Sequence, residues 1–147
     1  MNIKNVTISP IGIIHTPFTV NDKLPRQGRF SEATEGFVEL DSKYKVGLMD
    51  LESFSHVILI FYFHKSKDYN LIQTPSRDNK PRGVFATRSP HRPSGIGLTI
   101  VRIKAIKDNI IEFYGADMIN GTPLLDIKPY IPDIDCYSDA SRGWLEN

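Results

Sequence analysis

The sequence is poor in the devices that mark most specialised protein classes. It has one cysteine among 147 residues, Cys136, which excludes an internal disulfide framework and any Cys-pair zinc motif. Long hydrophobic runs are absent: the longest, Val57 to Phe63, is seven residues, whereas a membrane-spanning helix needs about 20. The opening Met1-Asn2-Ile3-Lys4-Asn5 has no apolar core of the kind a secretory signal requires. Charge of one sign is lacking too, since 18 Lys and Arg stand against 17 Asp and Glu. That balance argues against a generally basic nucleic-acid binder and leaves a local basic patch open. No Gly-x-Gly-x-x-Gly, P-loop, Gly-x-Ser-x-Gly or His-Glu-x-x-His pattern occurs. His15, His56, His64 and His91 are scattered, so no metal centre is expected.

What is present suits an ordinary globular chain, with 40% apolar and 24% charged residues. The length fits one domain over residues 1–147, expected in the reducing cytoplasm and away from membranes. Ten Gly and ten Pro cut the chain into short segments. Val6 to His15, interrupted by Pro10 and Gly12, reads as an edge or bulged strand. Residues 36–40 alternate as a short strand, and the spacing of Val46, Leu48, Met49 and Leu51 predicts a short helix over 44–52. Ser55 to His64 is apolar on both faces and is expected to be a central strand. Gly83 to Thr87 reads as a strand. Ile96–Ile106 and Ile110–Gly115 form the clearest hairpin around Lys107-Asp108-Asn109, and Leu124–Ile131 is the last strand. The class is therefore mainly β: a small single-domain β-barrel with long loops and one or two short helices. Two loops, 16–34 and 65–81, exceed the usual length and point to function.

The chemistry concentrates in three stretches. Residues 77–92 hold Arg77, Lys80, Arg82, Arg88 and Arg92 against one acid, Asp78, and Pro90 and Pro93 restrict the backbone around Arg88 and Arg92. Guanidinium groups fixed in this way suit a carboxylate or phosphate, although a solvated basic loop has the same composition. After the Asn120-Gly121 turn, the period of two places Asp126, Lys128 and Tyr130 on one strand face, as a polar site or as a plain surface ion pair. Pro25-Arg26-Gln27-Gly28 in the first loop is a weak motif by itself.

Together, PRQG (25–28), GLMDLESFSHVILIFYFHKS (47–66), GVFATRSPHRPSGIGLT (83–99) and NGTPLLDIKPYIP (120–132) resemble the TsaA/TrmO-like family over nearly the whole chain. The resemblance implies an S-adenosylmethionine-dependent methyltransferase on a small β-barrel, forming homodimers with the donor near the subunit interface. It also implies methylation of N6 of threonylcarbamoyladenosine, 3′ of the tRNA anticodon. Carried over by motif, the donor-binding residues are Pro25, Arg26, Gln27, His64, Lys65, Arg88 and Leu98, with Thr122, Pro123, Leu124 and Leu125 supplying main-chain contacts. S-adenosyl-L-methionine is the expected methyl donor, without a metal. Asp126 is the candidate base, with His64 as an alternative, and Arg77, Lys80, Arg82 and Arg92 are candidate tRNA phosphate contacts. Another methyl acceptor, or a non-catalytic donor-binding role, is the competing reading. Two positions depart from the family pattern: Ser94-Gly95 replaces Asn-Pro, and Asn120 replaces the turn aspartate. The extra C-terminal domain of longer bacterial members has no counterpart in this sequence.

Overall fold

The computed structural model describes residues 5–146; the opening Met1 to Lys4, read above for a signal core, lies outside them. Six strands close into a barrel: β1 (Gly12–His15), β2 (Glu35–Leu40), β3 (His56–Tyr62), β6 (Ile96–Lys107), β7 (Ile110–Tyr114) and β8 (Thr122–Pro129). Their order around the barrel is β1-β2-β7-β6-β3-β8, every pairing is antiparallel, and β8 returns to β1. Two short strands in the second long loop, β4 (Ile72–Gln73) and β5 (Arg82–Gly83), pair with each other outside the barrel. The expected β-barrel with long loops is the observed fold, and no helix among the described residues is long and apolar enough to cross a membrane.

Alternation sorts the side chains. Val38 and Leu40, Val57, Leu59 and Phe61, Val101, Ile111 and Phe113, and Leu124 all point inward and are buried, joined by Ile14. β3 is central as expected, flanked by β6 and β8. Its outward residues Ile58 and Ile60 pair across with Ile100 and Leu98 of β6, while Tyr62 pairs with Ile96. This outer surface is unusually apolar, since Ile96, Leu98 and Ile100 are each about two-fifths exposed. A single buried face would have needed no apolar residues there.

Four local expectations change. The first strand is only Gly12–His15, because Pro10 lacks a donor for the ladder. Residues 42–48 and 51–53 form short 3-10 helices rather than one α-helix, broken at Asp50, which sits at φ 66°. Gly83–Thr87 is not a strand: after β5, Val84–Ala86 turns as a 3-10 helix, its first N–H bonded to Leu71 O at 2.8 Å. The β6–β7 connection has two residues, since Lys107 pairs with Ile110. Asp108, not Asn109, takes the left-handed conformation there, and Asn109 instead donates its side-chain amide to Leu40 O at 2.6 Å. One short α-helix, α1 (Pro132–Asp135), follows β8.

Gly95, which stands where the family pattern has proline, is held at φ 60°. Its N–H bonds to Arg92 O and its carbonyl accepts from Phe63 N at 2.8 Å, so the position is fixed, not loose. A Cβ there would lie 2.9 Å from the Tyr62 ring. Proline cannot reach this φ and would also lose the N–H. Gly95→Ala should cost about 1–2 kcal/mol and Gly95→Pro about 3 kcal/mol or more in urea unfolding. Wild-type stability in the proline variant would show that the left-handed turn does not form.

Candidate functional site

The first long loop is seated on the barrel rim by close packing. Gly28 is buried, and a Cβ on it would lie 2.3 Å from Gly115 O and 3.1 Å from the Thr99 hydroxyl. No side chain other than hydrogen fits, so the 25–28 backbone presses directly on the end of β7. The turn Gly28–Phe30 then closes through Phe30 N to Gln27 O at 2.8 Å. Gln27, extended just before this turn, makes no cap bond with its side chain. That side chain instead accepts a 2.6 Å hydrogen bond from Arg88 Nη1, joining two loops 61 residues apart. Beneath the pair lies Asp117, whose Oδ2 accepts from the buried Thr99 hydroxyl at 2.8 Å. Its other oxygen, Oδ1, is buried without a full hydrogen bond. Burial pushes the Asp117 carboxyl up to about 6, against the opposing pull of Thr99, the Gly28 N–H, its own N–H and the Arg88 charge.

A second group gathers along β3, β6 and β8. His64 and Lys65 follow the end of β3, where burial and then the neighbouring Lys65 charge hold the His64 imidazole below its ordinary pKa and therefore neutral near pH 7. Leu98 lies on the outer apolar surface, one residue from Thr99. Thr122 and Leu124 are buried, with Thr122 Oγ1 donating to Ile119 O and Leu124 O accepting from Ile11 N, so their side chains serve the core. The β3–β8 register steps from Phe61–Leu124 to Ile60–Asp126, which leaves Leu125 as the extra residue of a bulge. Main-chain groups at a bulge are free of the ladder, which suits the contacts expected of this segment. Asp126 faces outward opposite Ile60, its Oδ2 2.8 Å from Lys128 Nζ and its Oδ1 accepting from Ile127 N. Tyr130 is beyond the strand end, its ring edge-on to His56.

The basic loop is divided in its loyalties. Arg82 Nη2 donates to Asp78 Oδ2 at 2.6 Å, and its guanidinium lies 5.0 Å from the Trp144 ring centre. Trp144 in turn donates to Ala86 O, and Arg77 to Leu145 O. Arg92 donates to Thr87 O at 3.1 Å. Three of the four candidate phosphate contacts thus hold the C-terminal segment and the loop itself, while Lys80 and Arg26 are exposed. The histidines are used separately: His15 stacks on Phe37, His56 meets Ser55 and His91 meets Ser66. Among the described residues no three His, Cys, Asp or Glu side chains gather as a metal site would need.

The model of the tRNA-methyltransferase O N-terminal domain matches residues 13–136. The chain belongs to the tRNA-methyltransferase O family. A "probable S-adenosyl-L-methionine-binding protein" of Pyrococcus abyssi is 45% identical over 93% of this chain and 74% of its own length. The human tRNA (adenine(37)-N6)-methyltransferase is 37% identical over 89% of this chain but 31% of its own. A crystal structure of TrmO from Pseudomonas aeruginosa superposes with a TM-score of 0.82 and 38% identity, over 95% of this chain and 62% of that one. The chain therefore spans under two thirds of that solved relative and about a third of the human one.

Within this family frame, the two departures keep their structural work. Asn120 Oδ1 accepts from Thr16 N at 3.1 Å, a bond that needs an oxygen acceptor and not a charge. Sequence reading missed Asp117 and Thr99. Thr99 closes the 83–99 motif without any polar role being read for it, and Asp117 lies outside the motifs; its only signal is a carboxylate directly after the buried Gly115-Ala116. The position of Arg82 leads to a test of its role. Arg82→Ala, which leaves Asp78 and the Trp144 ring without their partner, should lower stability by about 1–2 kcal/mol in chemical denaturation. Lys80→Ala should leave it within about 0.5 kcal/mol. Equal, negligible effects would free Arg82 for an external anion.

Proposed function

We propose that the chain is an S-adenosyl-L-methionine-dependent methyltransferase acting on N6 of threonylcarbamoyladenosine, 3′ of the tRNA anticodon. The observation that carries this reading is the Gln27–Arg88 bond, which unites two motifs expected to bind the donor. The residues present fit that donor. Leu98 offers an exposed apolar surface for an adenine face, Arg88 a guanidinium for the methionine carboxylate, and the Leu125 bulge free main-chain groups. The donor supplies a methyl group on a sulfonium, so the protein's own task is alignment. The loops of Pro25, Arg26, Gln27, His64, Lys65 and Arg88 orient it, and the acceptor nitrogen must be brought in line. Asp126 is our base for the N6 proton, freed from Lys128 as the substrate enters. Neutral His64 is the alternative.

The apolar outer surface of β3 and β6 supports a homodimer that covers Ile58, Ile60, Ile96 and Ile100. Because Leu98 lies on that surface, the donor would sit beside the partner subunit. Lys80, with Arg77, Arg82 and Arg92 where their internal bonds open, would meet tRNA phosphates, and the site of action would be the cytoplasm.

Arg88→Ala should weaken donor binding roughly ten- to 150-fold in calorimetry, for the loss of about 1.5–3 kcal/mol of charge-assisted contact, and more than Arg77→Ala does. Equal effects would move the donor carboxylate elsewhere. Mass spectrometry of tRNA nucleosides, from cells with and without the protein, should show loss of methylated threonylcarbamoyladenosine. An unchanged profile together with intact donor binding would favour another acceptor. In sedimentation, Ile100→Glu should turn a dimer into monomers with weakened donor binding; a monomeric wild type with full donor affinity would overturn the shared-site arrangement.

A further inference from the structure

We infer that Asp117 is a positioning residue of the donor site: its buried carboxylate seats the Gly28 amide on the barrel and so fixes where Gln27 meets Arg88. This rests on the donor-site reading above and assigns a role to a residue outside its motifs.

The geometry is specific. Asp117 follows directly on β7 and the Gly115-Ala116 pair, under the loop that carries Gln27. One oxygen is satisfied by Thr99 Oγ1. The Gly28 N–H favours the ionised carboxylate without making a full hydrogen bond to it, and Oδ1 is buried with no partner. A buried acceptor left open is unfavourable, so a change that brings the Gly28 N–H fully onto the carboxylate is favoured. Donor binding against Gln27 and Arg88 is such a change. Active-site hydrogen bonds that are long without ligand commonly tighten when it arrives. Gly28 has no Cβ to stop the movement, and its contact with Gly115 O sets the limit.

Charge follows from the same arrangement. Thr99 from β6 and Gly28 from the first loop are neutral partners, and Arg88 is the charged group whose field reaches the carboxylate. Seating Gly28 on the carboxylate, within the field of the fixed Arg88 charge, favours the ionised form. Donor affinity should therefore fall as pH drops through about 6. Folding responds in the opposite direction. A carboxyl raised from 3.8 to about 6 stabilises the fold fully below 3.8, and that contribution is lost as pH rises through 6. A residue with only a structural role would move both quantities together.

The test uses the full chain with S-adenosyl-L-methionine as probe, by calorimetry between pH 5 and 8. Wild-type affinity should weaken roughly tenfold toward pH 5, the difference expected between a charge-assisted and a neutral hydrogen bond. Asp117→Asn should bind at the weak level across the whole range while unfolding at the same or higher urea concentration at pH 7.5. His64 is still present in Asp117→Asn, so a step that persisted in that variant would belong to His64 and overturn the assignment to Asp117. Independently of any ligand, the Gly28 amide resonance of the wild type should titrate with a midpoint near 6. If Asp117→Asn does not fold, Thr99→Val and this resonance carry the test. Wild-type affinity and pH profile in Asp117→Asn, or a Gly28 amide indifferent to pH, would overturn the proposal. Absence of donor binding in the wild type, with the Gly28 titration intact, would overturn the donor-site reading instead and confine Asp117 to holding the loop.

Discussion

Closure of the sheet by the short β8–β1 pairing is the constraint on which the other features depend. Only three residue pairs, Gly12–Leu124, Ile13–Pro123 and Ile14–Thr122, make that seam. It removes the last free edge of the barrel sheet, so the barrel's backbone donors are satisfied without a covering helix. A six-stranded barrel has little interior, and its inward side chains fill it as a core. Ligand chemistry is thereby pushed to the rim and the outer surface. The bulge at Leu125 lies on the strand that makes the seam, between its pairing with β1 and its long pairing with β3. An extra residue there lets β8 bend from one neighbour to the other, and the same bend frees main-chain groups.

The barrel was legible in the sequence because its signals are local. Strand alternation, the two long loops and the central Val57–Phe63 run each follow from the period-two pattern and from proline and glycine placement. The errors share a cause. Residues 83–87 have strand-like composition, but Val84 spends its N–H on Leu71 and turns away from any ladder. Residues 44–52 have helical spacing, but the left-handed Asp50 divides them. In the hairpin, asparagine looked suited to the left-handed position, yet Asn109 is drawn to the Leu40 carbonyl from a neighbouring strand and Asp108 takes the strain. Each time a contact distant in sequence decided the local conformation, which no window of neighbouring residues records.

The proposed site rests on motif resemblance, and its electrostatics were opaque in the sequence. Counting cations in 77–92 gave five candidates for an external anion, but a count does not reveal which are already engaged. Asp78, the Trp144 ring and backbone carbonyls engage Arg82, Arg77 and Arg92. Arg88, whose acceptor is the neutral Gln27 amide, keeps its charge uncompensated by a full ion pair. Asp117 interacts with it through space and not by an ion pair. With a near-balanced net charge, the molecule's anion affinity rests on how such pairings are distributed, not on total charge.

That distribution divides the loops into a rigid and an adjustable part. The segment from Arg77 to Ala86 is clasped by Trp144 and Arg82 against the C-terminal turn, and Gly95 is bonded at both its N–H and its carbonyl. The turn from Arg88 onward is thus held on either side by fixed anchors. The Pro25–Phe30 loop has a different footing. Its seat is steric contact between Gly28 and Gly115, with a carboxylate oxygen still open beneath it. Steric contact limits how far a loop can descend but does not hold it down. Of the two partners in the Gln27–Arg88 bond, the arginine side is therefore the more firmly anchored and the glutamine side the less so. Under the proposed donor site, a ligand between them would gain its orientation from Arg88 and its enclosure from Gln27, so loss of the anchor under Gly28 would impair enclosure while leaving the arginine in place.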